Sequence, residues 1–130
     1  MKDISTINAE QLKQIIKNGT PDYSSRSEGY ILVNTLPRNY FEKEHIANSI
    51  NVPEDQLDDL KQYFDSDKKI IVYCASTECD SSLKGAKKLQ NNGFSDVVDF
   101  EGGLDEWKKA GGKTESGTDQ PNFTGATSSA

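Results

Sequence analysis

Short apolar runs alternate along the chain with longer segments in which apolar residues recur at helical spacing. The runs have four or five residues, are rich in β-branched side chains and are bounded by turn residues, a pattern that predicts strands buried on both faces. These predicted strands cover residues 30–33, 49–52, 69–73 and 97–100.

Helix start and stop signals lie between the predicted strands. Asn8 can cap a first helix that ends at Asn18 and Gly19, and Pro37 and Pro53 stand where a first helical turn tolerates proline. Further helices are predicted over residues 38–43, 54–64 and 104–110, and one more from a cap at Asp80 or Ser81 to a stop at Asn92 and Gly93. Strand and helix repeated four times indicate a compact α/β domain with a central, mostly parallel sheet and helices on both faces.

The apolar content falls sharply near residue 110. Of the last twenty residues, three are apolar, Phe123, Ala126 and Ala130, while four are glycine and seven are serine or threonine. Such a segment cannot bury enough apolar surface to offset its ordering entropy. We therefore expect one folded domain over residues 1–111 and a disordered Gly/Ser/Thr-rich tail over residues 112–130.

Charge and hydropathy limit the functional classes. Fifteen basic and twenty-one acidic residues give a net charge of −6 and a pI near 4.7, and a surface of that sign repels nucleic acid. No segment is apolar enough to cross a membrane, and the start of the chain lacks the apolar core of a secretory signal. We expect a cytoplasmic protein with no nucleic-acid or membrane partner.

The chain has two cysteines, Cys74 and Cys79, and one histidine. This set is too small for the disulfide framework of a secreted domain or for a closed zinc site, so no metal is expected. Cys74 ends a predicted strand and precedes a polar loop and a helix, where amide groups can lower the pKa of a cysteine and favour the reactive thiolate. The spacing is equally consistent with a small buried side chain at a strand end.

Three blocks of sequence resemble a single-domain rhodanese. They cover residues 45–53, 71–82 and 101–111, and the resemblance extends over about residues 4–111. It implies an active-site cysteine at Cys74 that accepts a sulfane sulfur as a persulfide and transfers it to an acceptor, without metal or organic cofactor. It also implies that the loop forms a cradle of amide groups around the sulfur; the loop residues are Ala75, Ser76, Thr77, Glu78 and Cys79.

The loop departs from this family pattern in its charge. Sulfurtransferases that use thiosulfate usually carry a basic residue in or just after the loop, whereas here Glu78 and Asp80 lie there. Two acidic residues oppose a dianionic donor, so efficient use of thiosulfate is doubtful. We expect a small neutral sulfur donor or a persulfide-carrying protein as donor, and a thiol or cyanide as acceptor.

Cys79 leaves the function open between classes. It can act as a resolving thiol toward Cys74, or it can be a small loop residue that never meets it. The Ser76 and Thr77 hydroxyls can likewise donate hydrogen bonds to the sulfur or have no such role. The alternatives to a sulfurtransferase are therefore a non-catalytic rhodanese-like binding module and a thiol-redox protein that uses both cysteines. For His45 and Trp107 we expect structural roles.

Overall fold

A computed structural model describes residues 4–118 and 120–121 of the chain. The strands are β1 Ser5–Ile7, β2 Tyr30–Asn34, β3 His45–Ile46, β4 Ile50–Asn51, β5 Lys69–Tyr73, β6 Asp96–Phe100 and β7 Thr114–Glu115. The helices are α1 Ala9–Asn18, α2 Arg38–Lys43, α3 Ser81–Asn91 and α4 Gly103–Lys109, and a 3₁₀ helix covers Glu54–Gln62.

The main sheet has five strands in the order β1-β6-β5-β2-β4, all of them parallel. A separate antiparallel pair joins β3 to β7. The predicted α/β class, with a central parallel sheet, is therefore confirmed. Strands β1, β3 and β7 were not predicted, because each has only two or three residues and no apolar run marks it.

Helices pack on both faces of the sheet. One core lies against α3 and the 3₁₀ helix, where Leu57 and Leu89 meet Ile70 and Val72 of β5. The other core lies against α1 and α4, and it contains the buried side chains Ala9, Leu12, Ile71, Tyr73, Phe100 and Trp107. Successive β5 side chains point to opposite faces, so this strand contributes to both cores.

The predicted helix boundaries hold closely. At the start of α1 the Asn8 side chain accepts from the Gln11 amide and the Gln11 side chain accepts from the Asn8 amide, a complete capping box. Pro37 and Pro53 directly precede α2 and the 3₁₀ helix. Asp80 occupies the N-cap position of α3, but its side chain makes no capping hydrogen bond.

The segment after residue 111 begins as part of the folded domain. Strand β7 pairs with β3, the Lys113 carbonyl accepts from the Ala47 amide and the Trp107 indole, and the Gln120 side chain accepts from the Asn51 amide. Structure at residues 112–118 differs from the predicted disorder, because backbone and polar side-chain hydrogen bonds replace the apolar burial that the segment lacks. Residues 119 and 122–130 of the predicted tail lie outside the described residues. Within the described part of the chain, no helix combines the length and apolar character needed to cross a membrane.

Candidate active site

Strand β5 places Cys74 at the carboxyl end of the sheet, between β2 and β6. The preceding residue, Tyr73, pairs in register with Asn34 of β2 on one side and with Phe100 of β6 on the other. Because side chains alternate along the strand, Tyr73 enters the α1 and α4 side while Cys74 turns toward α3. The Cys74 side chain is 1% exposed. Open parallel sheets form their binding sites at this end of the strands.

The Cys74 sulfur has a covalent partner in the structure. Cys74 and Cys79 form a disulfide, with their Cα atoms 6.3 Å apart. Around this bond, the Cys74 Sγ lies 3.2 Å from the Cys79 carbonyl oxygen and 3.6 Å from the Ser82 hydroxyl. The loop therefore holds both sulfur atoms within reach of each other, and the reading of Cys79 as a residue that never meets Cys74 is wrong.

The loop between the two cysteines folds mainly on itself. Ala75, Thr77 and Glu78 are exposed, whereas Ser76 and Cys79 are half-buried. The Cys79 amide donates to the Ser76 carbonyl over 3.1 Å, and the Glu78 amide donates to the Ser76 hydroxyl over 3.3 Å. In this disulfide form, these two amides thus close a turn, and they do not form the cradle around the Cys74 sulfur that the family resemblance implies.

Helix α4 anchors the first part of the loop. The Leu104 amide donates to the Cys74 carbonyl and the Asp105 amide donates to the Ala75 carbonyl, each over 2.9 Å. Gly103 permits this approach, because its φ is 62° and a Cβ there would overlap the Cys74 carbonyl group. The free amides at the start of α4 are therefore used to fix the backbone of Cys74 and Ala75.

Two serines of α3 approach the sulfur atoms. The Ser81 hydroxyl lies 3.3 Å from the Cys79 Sγ and 2.9 Å from the hydroxyl of the buried Thr35, while Ser82 faces Cys74. The sequence alone predicts Ser81 only as a helix cap and predicts no role for Ser82. Their position in the first turn after a cysteine loop was the available signal, because that turn faces the strand end.

Asp99 is a second residue that the sequence analysis missed. It lies on β6, is 3% exposed, and its Oδ1 atom has no hydrogen-bond partner among the described residues. Burial raises the pKa of the Asp99 carboxyl and the charge of Glu101 adds to the rise, while a hydrogen bond with Ser82 partly offsets it. Asp99 sits in an otherwise apolar run, and an acidic residue at such a position was the signal for it.

The neighbouring Tyr73 belongs to a fully bonded polar cluster on the opposite face. Its hydroxyl accepts from the Asn34 side chain over 3.2 Å and from the Ile46 amide over 3.0 Å, and it lies 2.8 Å from the Ser49 hydroxyl. Burial raises the pKa of Tyr73 to about 12. This hydroxyl therefore stays protonated and structural.

Negative charge surrounds the entrance to the loop. The Glu78 and Asp80 side chains are exposed, and Asp80 forms an ion pair with Lys84 at 3.4 Å. This pair is itself solvent-exposed, so it weakens the acidic potential only locally. Among residues 4–118 and 120–121, no group of three or more histidine, cysteine, aspartate and glutamate side chains is arranged to hold a metal ion.

His45 and Trp107 have packing roles. The buried His45 ring stacks on Phe41 with centroids 3.7 Å apart, and its Nδ1 lies 2.7 Å from the Phe41 carbonyl oxygen. Trp107 meets Phe100 edge to face and donates to the Lys113 carbonyl. Both residues brace the elements beside the site, in agreement with the structural roles expected for them.

Two curated proteins are similar to this chain in sequence. The chain is 32% identical over 94 residues to the adenylyltransferase and sulfurtransferase UBA4 of Debaryomyces hansenii, which covers 66% of this chain and 21% of that protein. It is 32% identical over 83 residues to the thiosulfate sulfurtransferase GlpE of Pseudomonas syringae, which covers 64% of this chain and 76% of that protein. The chain thus spans about a fifth of the length of the first relative.

Solved structures match the fold. The Alr3790 protein from Anabaena is 25% identical, with a TM-score of 0.72 over 85% of this chain and 80% of that one. A rhodanese-related protein from Thermoplasma volcanium is 27% identical, with a TM-score of 0.66 over 85% of this chain and 97% of that one. The family model of the rhodanese-like domain matches residues 8–110. The chain with Cys74 at the end of its central strand therefore belongs to the rhodanese-like domain family.

Proposed function

We propose that this protein is a sulfurtransferase that carries a sulfane sulfur as a persulfide on Cys74. The observation that carries the proposal is the position of Cys74, whose sulfur lies at the carboxyl end of the central strand and already holds a second sulfur atom in an S–S bond. A site that accommodates Cys79 Sγ against Cys74 Sγ has the space and contacts for a persulfide. Family membership and the names of the two sulfurtransferase relatives support the same activity.

The proposed reaction has two displacement steps. The Cys74 thiolate attacks the sulfane sulfur of the donor, the donor's S–S bond breaks, and its remaining fragment leaves with the electron pair. The acceptor thiolate or cyanide then attacks the outer sulfur of the persulfide, and the Cys74 thiolate leaves. Both steps require Cys74 as a free thiolate, so an external thiol must first reduce the bond to Cys79. The reducing cytoplasm supplies such thiols, and we place the activity there.

The donor is proposed from the charge of the loop. Glu78 and Asp80 oppose the dianion thiosulfate, whereas a singly charged small persulfide or a protein that carries a persulfide meets less repulsion. The loop residues Ala75, Ser76, Thr77, Glu78 and Cys79 form the rim that such a donor has to approach. Because three of them are exposed, a protein-borne sulfur can reach the turn without a deep cavity.

A second candidate function is supported by the disulfide itself. A thiol-redox protein would cycle between the Cys74–Cys79 disulfide and two thiols, and the structure contains the oxidised form of that pair. The two candidates differ in one measurable property, because a sulfurtransferase gains sulfur from a donor and a simple redox protein does not. A non-catalytic binding module would do neither.

Intact-mass analysis tests the proposal. The protein is reduced, freed of reductant and incubated with thiosulfate or with an organic persulfide, together with the variants Cys74→Ser and Cys79→Ser. We expect the mass of one sulfur atom to be added to Cys79→Ser and not to Cys74→Ser, with transfer to cyanide reduced at least about a thousandfold in Cys74→Ser. If Cys79→Ser gains no sulfur from either donor, the sulfurtransferase proposal fails.

A further inference from the structure

We propose that Cys79 discharges the Cys74 persulfide, so that the protein reduces a sulfane sulfur to sulfide and is left as the Cys74–Cys79 disulfide. This inference rests on the proposed persulfide at Cys74. It adds a second activity to sulfur transfer, namely persulfide reduction. This activity is assigned to Cys79 rather than to Cys74. The product is sulfide rather than a sulfur-loaded acceptor.

The geometry of the loop places Cys79 for attack on the inner sulfur of the persulfide. The two Cα atoms are 6.3 Å apart, within the range that a disulfide requires, and the Cys79 Sγ contacts the Cys74 Sγ directly. The turn from Ser76 to Cys79 is held by the Cys79 amide, while α4 holds the Cys74 carbonyl. Both partners of the attack are thus fixed by backbone hydrogen bonds.

The surroundings of Cys79 suit a residue that alternates between a thiol and a disulfide. The Ser81 hydroxyl, 3.3 Å from the Cys79 Sγ, can donate to a Cys79 thiolate. Cys79 is half-buried whereas Cys74 is 1% exposed. An external thiol therefore attacks the Cys79 sulfur of the disulfide, and Cys74 leaves as the thiolate that the next cycle needs.

The steps balance with a dithiol as the external reductant. The Cys79 thiolate attacks the Cys74 Sγ, a bond forms between the two cysteine sulfurs, and the bond to the outer sulfur breaks, releasing HS⁻ with the electron pair. A small or protein-borne dithiol then reduces the disulfide, returning two thiols to the protein and becoming a disulfide itself. Each turnover transfers two electrons from the dithiol to the sulfane sulfur.

A single-turnover experiment tests this step. Reduced wild type, Cys79→Ser and Lys87→Ala, a control at an exposed position of α3 outside the loop, are treated with one equivalent of an organic persulfide and no added thiol, and released sulfide and intact mass are measured. We expect about one sulfide per chain from wild type and Lys87→Ala, both ending two hydrogen atoms lighter than the reduced protein. Cys79→Ser should keep the added sulfur and release at least about tenfold less sulfide.

The outcomes separate the two proposals. If Cys79→Ser holds one added sulfur and wild type also keeps its sulfur, Cys79 does not discharge the persulfide, while the sulfurtransferase proposal stands. If Cys79→Ser releases sulfide as fast as wild type, the resolving role is likewise excluded. If Cys79→Ser takes up no sulfur at all, both proposals are overturned.

Discussion

Tyr73 and Cys74 are adjacent on β5, yet they lie in polar clusters of opposite character. The Tyr73 cluster is formed by Asn34, Ile46, Ser49 and Tyr73. In it, the buried Tyr73 hydroxyl has three hydrogen-bond partners and stays protonated. The Cys74 cluster holds an exchangeable S–S bond and an unpartnered carboxyl oxygen. Side chains that alternate along one strand therefore place two clusters of different character on adjacent residues.

Satisfied hydrogen bonds, rather than burial, distinguish the two clusters. Both side chains are buried, at 0% and 1% exposure. A buried hydroxyl whose partners are all fixed adds stability, whereas an unpartnered buried carboxyl oxygen lowers it and a disulfide can exchange with thiols. We expect substitutions in the first cluster to change stability and substitutions in the second to change reactivity.

The largest expected effect is on stability, from Tyr73→Phe. Removing the hydroxyl leaves the Asn34 side chain, the Ile46 amide and the Ser49 hydroxyl without a shared partner in a buried site. We expect the free energy of unfolding to fall by about 2 to 3 kcal/mol, measured by denaturant titration. In the Cys79→Ser background, sulfur loading of the folded variant should stay at one atom per chain. Loss of loading in a folded Tyr73→Phe protein would contradict the separation of the two clusters.

Asp99→Asn should have a smaller effect on stability and should show it mainly through pH. Because the pKa of Asp99 is raised in the folded protein, the folded state binds more protons than the unfolded state above the ordinary pKa of about 3.9. The contribution of Asp99 to stability is therefore present at low pH and is lost as the pH rises toward the raised value. Relative to Asp99→Asn, wild type should lose stability as the pH rises above about 4. Parallel curves would show that Asp99 does not titrate differently on folding.

Glu78→Lys should improve the use of thiosulfate without changing stability. Replacing an exposed negative charge by a positive one near the sulfur favours a dianionic donor, and we expect the loading rate to rise about threefold at low salt. Glu78→Gln should give an intermediate rate, and loading by a singly charged organic persulfide should rise less than loading by the dianion thiosulfate. An equal gain with both donors would show that the side chain acts by steric access rather than by charge.

The smallest expected effect lies at the margin of the Tyr73 cluster. Thr114 on β7 donates to the Glu44 carboxylate over 2.9 Å, and β7 braces β3, whose Ile46 binds Tyr73. We expect Thr114→Ala to lower the free energy of unfolding by about 0.5 kcal/mol, with no change in sulfur loading. Thr114→Ser, which keeps the hydroxyl, is the matched control. A loss as large as that of Tyr73→Phe would place β7 within the cluster rather than at its margin.

The elements that could be predicted are those marked by strong local signals in the sequence. The runs that form β2, β5 and β6 are rich in apolar residues and bounded by turns. Asn8 and the two prolines mark the starts of helices in the local sequence. Strand β7 has no such signal, because its two residues, Thr114 and Glu115, are held by pairing with a strand about seventy positions away. Long-range pairing of short polar strands leaves no periodicity in the sequence.

The sequence predicts the position of the site on the backbone, but it does not predict which side chains meet there. The position of Cys74 follows from a strand that ends before a loop and a helix. The meeting of Cys74 with Cys79 depends on the turn at Ser76, whose hydrogen bonds no spacing rule specifies. The approach of Ser82 and Asp99 depends on the packing of α3 against β6, which only the folded chain determines.

The anchoring of Cys74 and Ala75 to α4 has a consequence for loop length. The Leu104 and Asp105 amides hold the backbone of Cys74 and Ala75, whereas the turn from Ser76 to Cys79 is held by its own hydrogen bonds and by the disulfide at its end. We expect residues inserted between Ser76 and Cys79 to displace Cys79 and its bond to Cys74, while the backbone of Cys74 keeps its place. The length of the turn therefore sets whether the two sulfur atoms meet, and α4 sets where Cys74 stands.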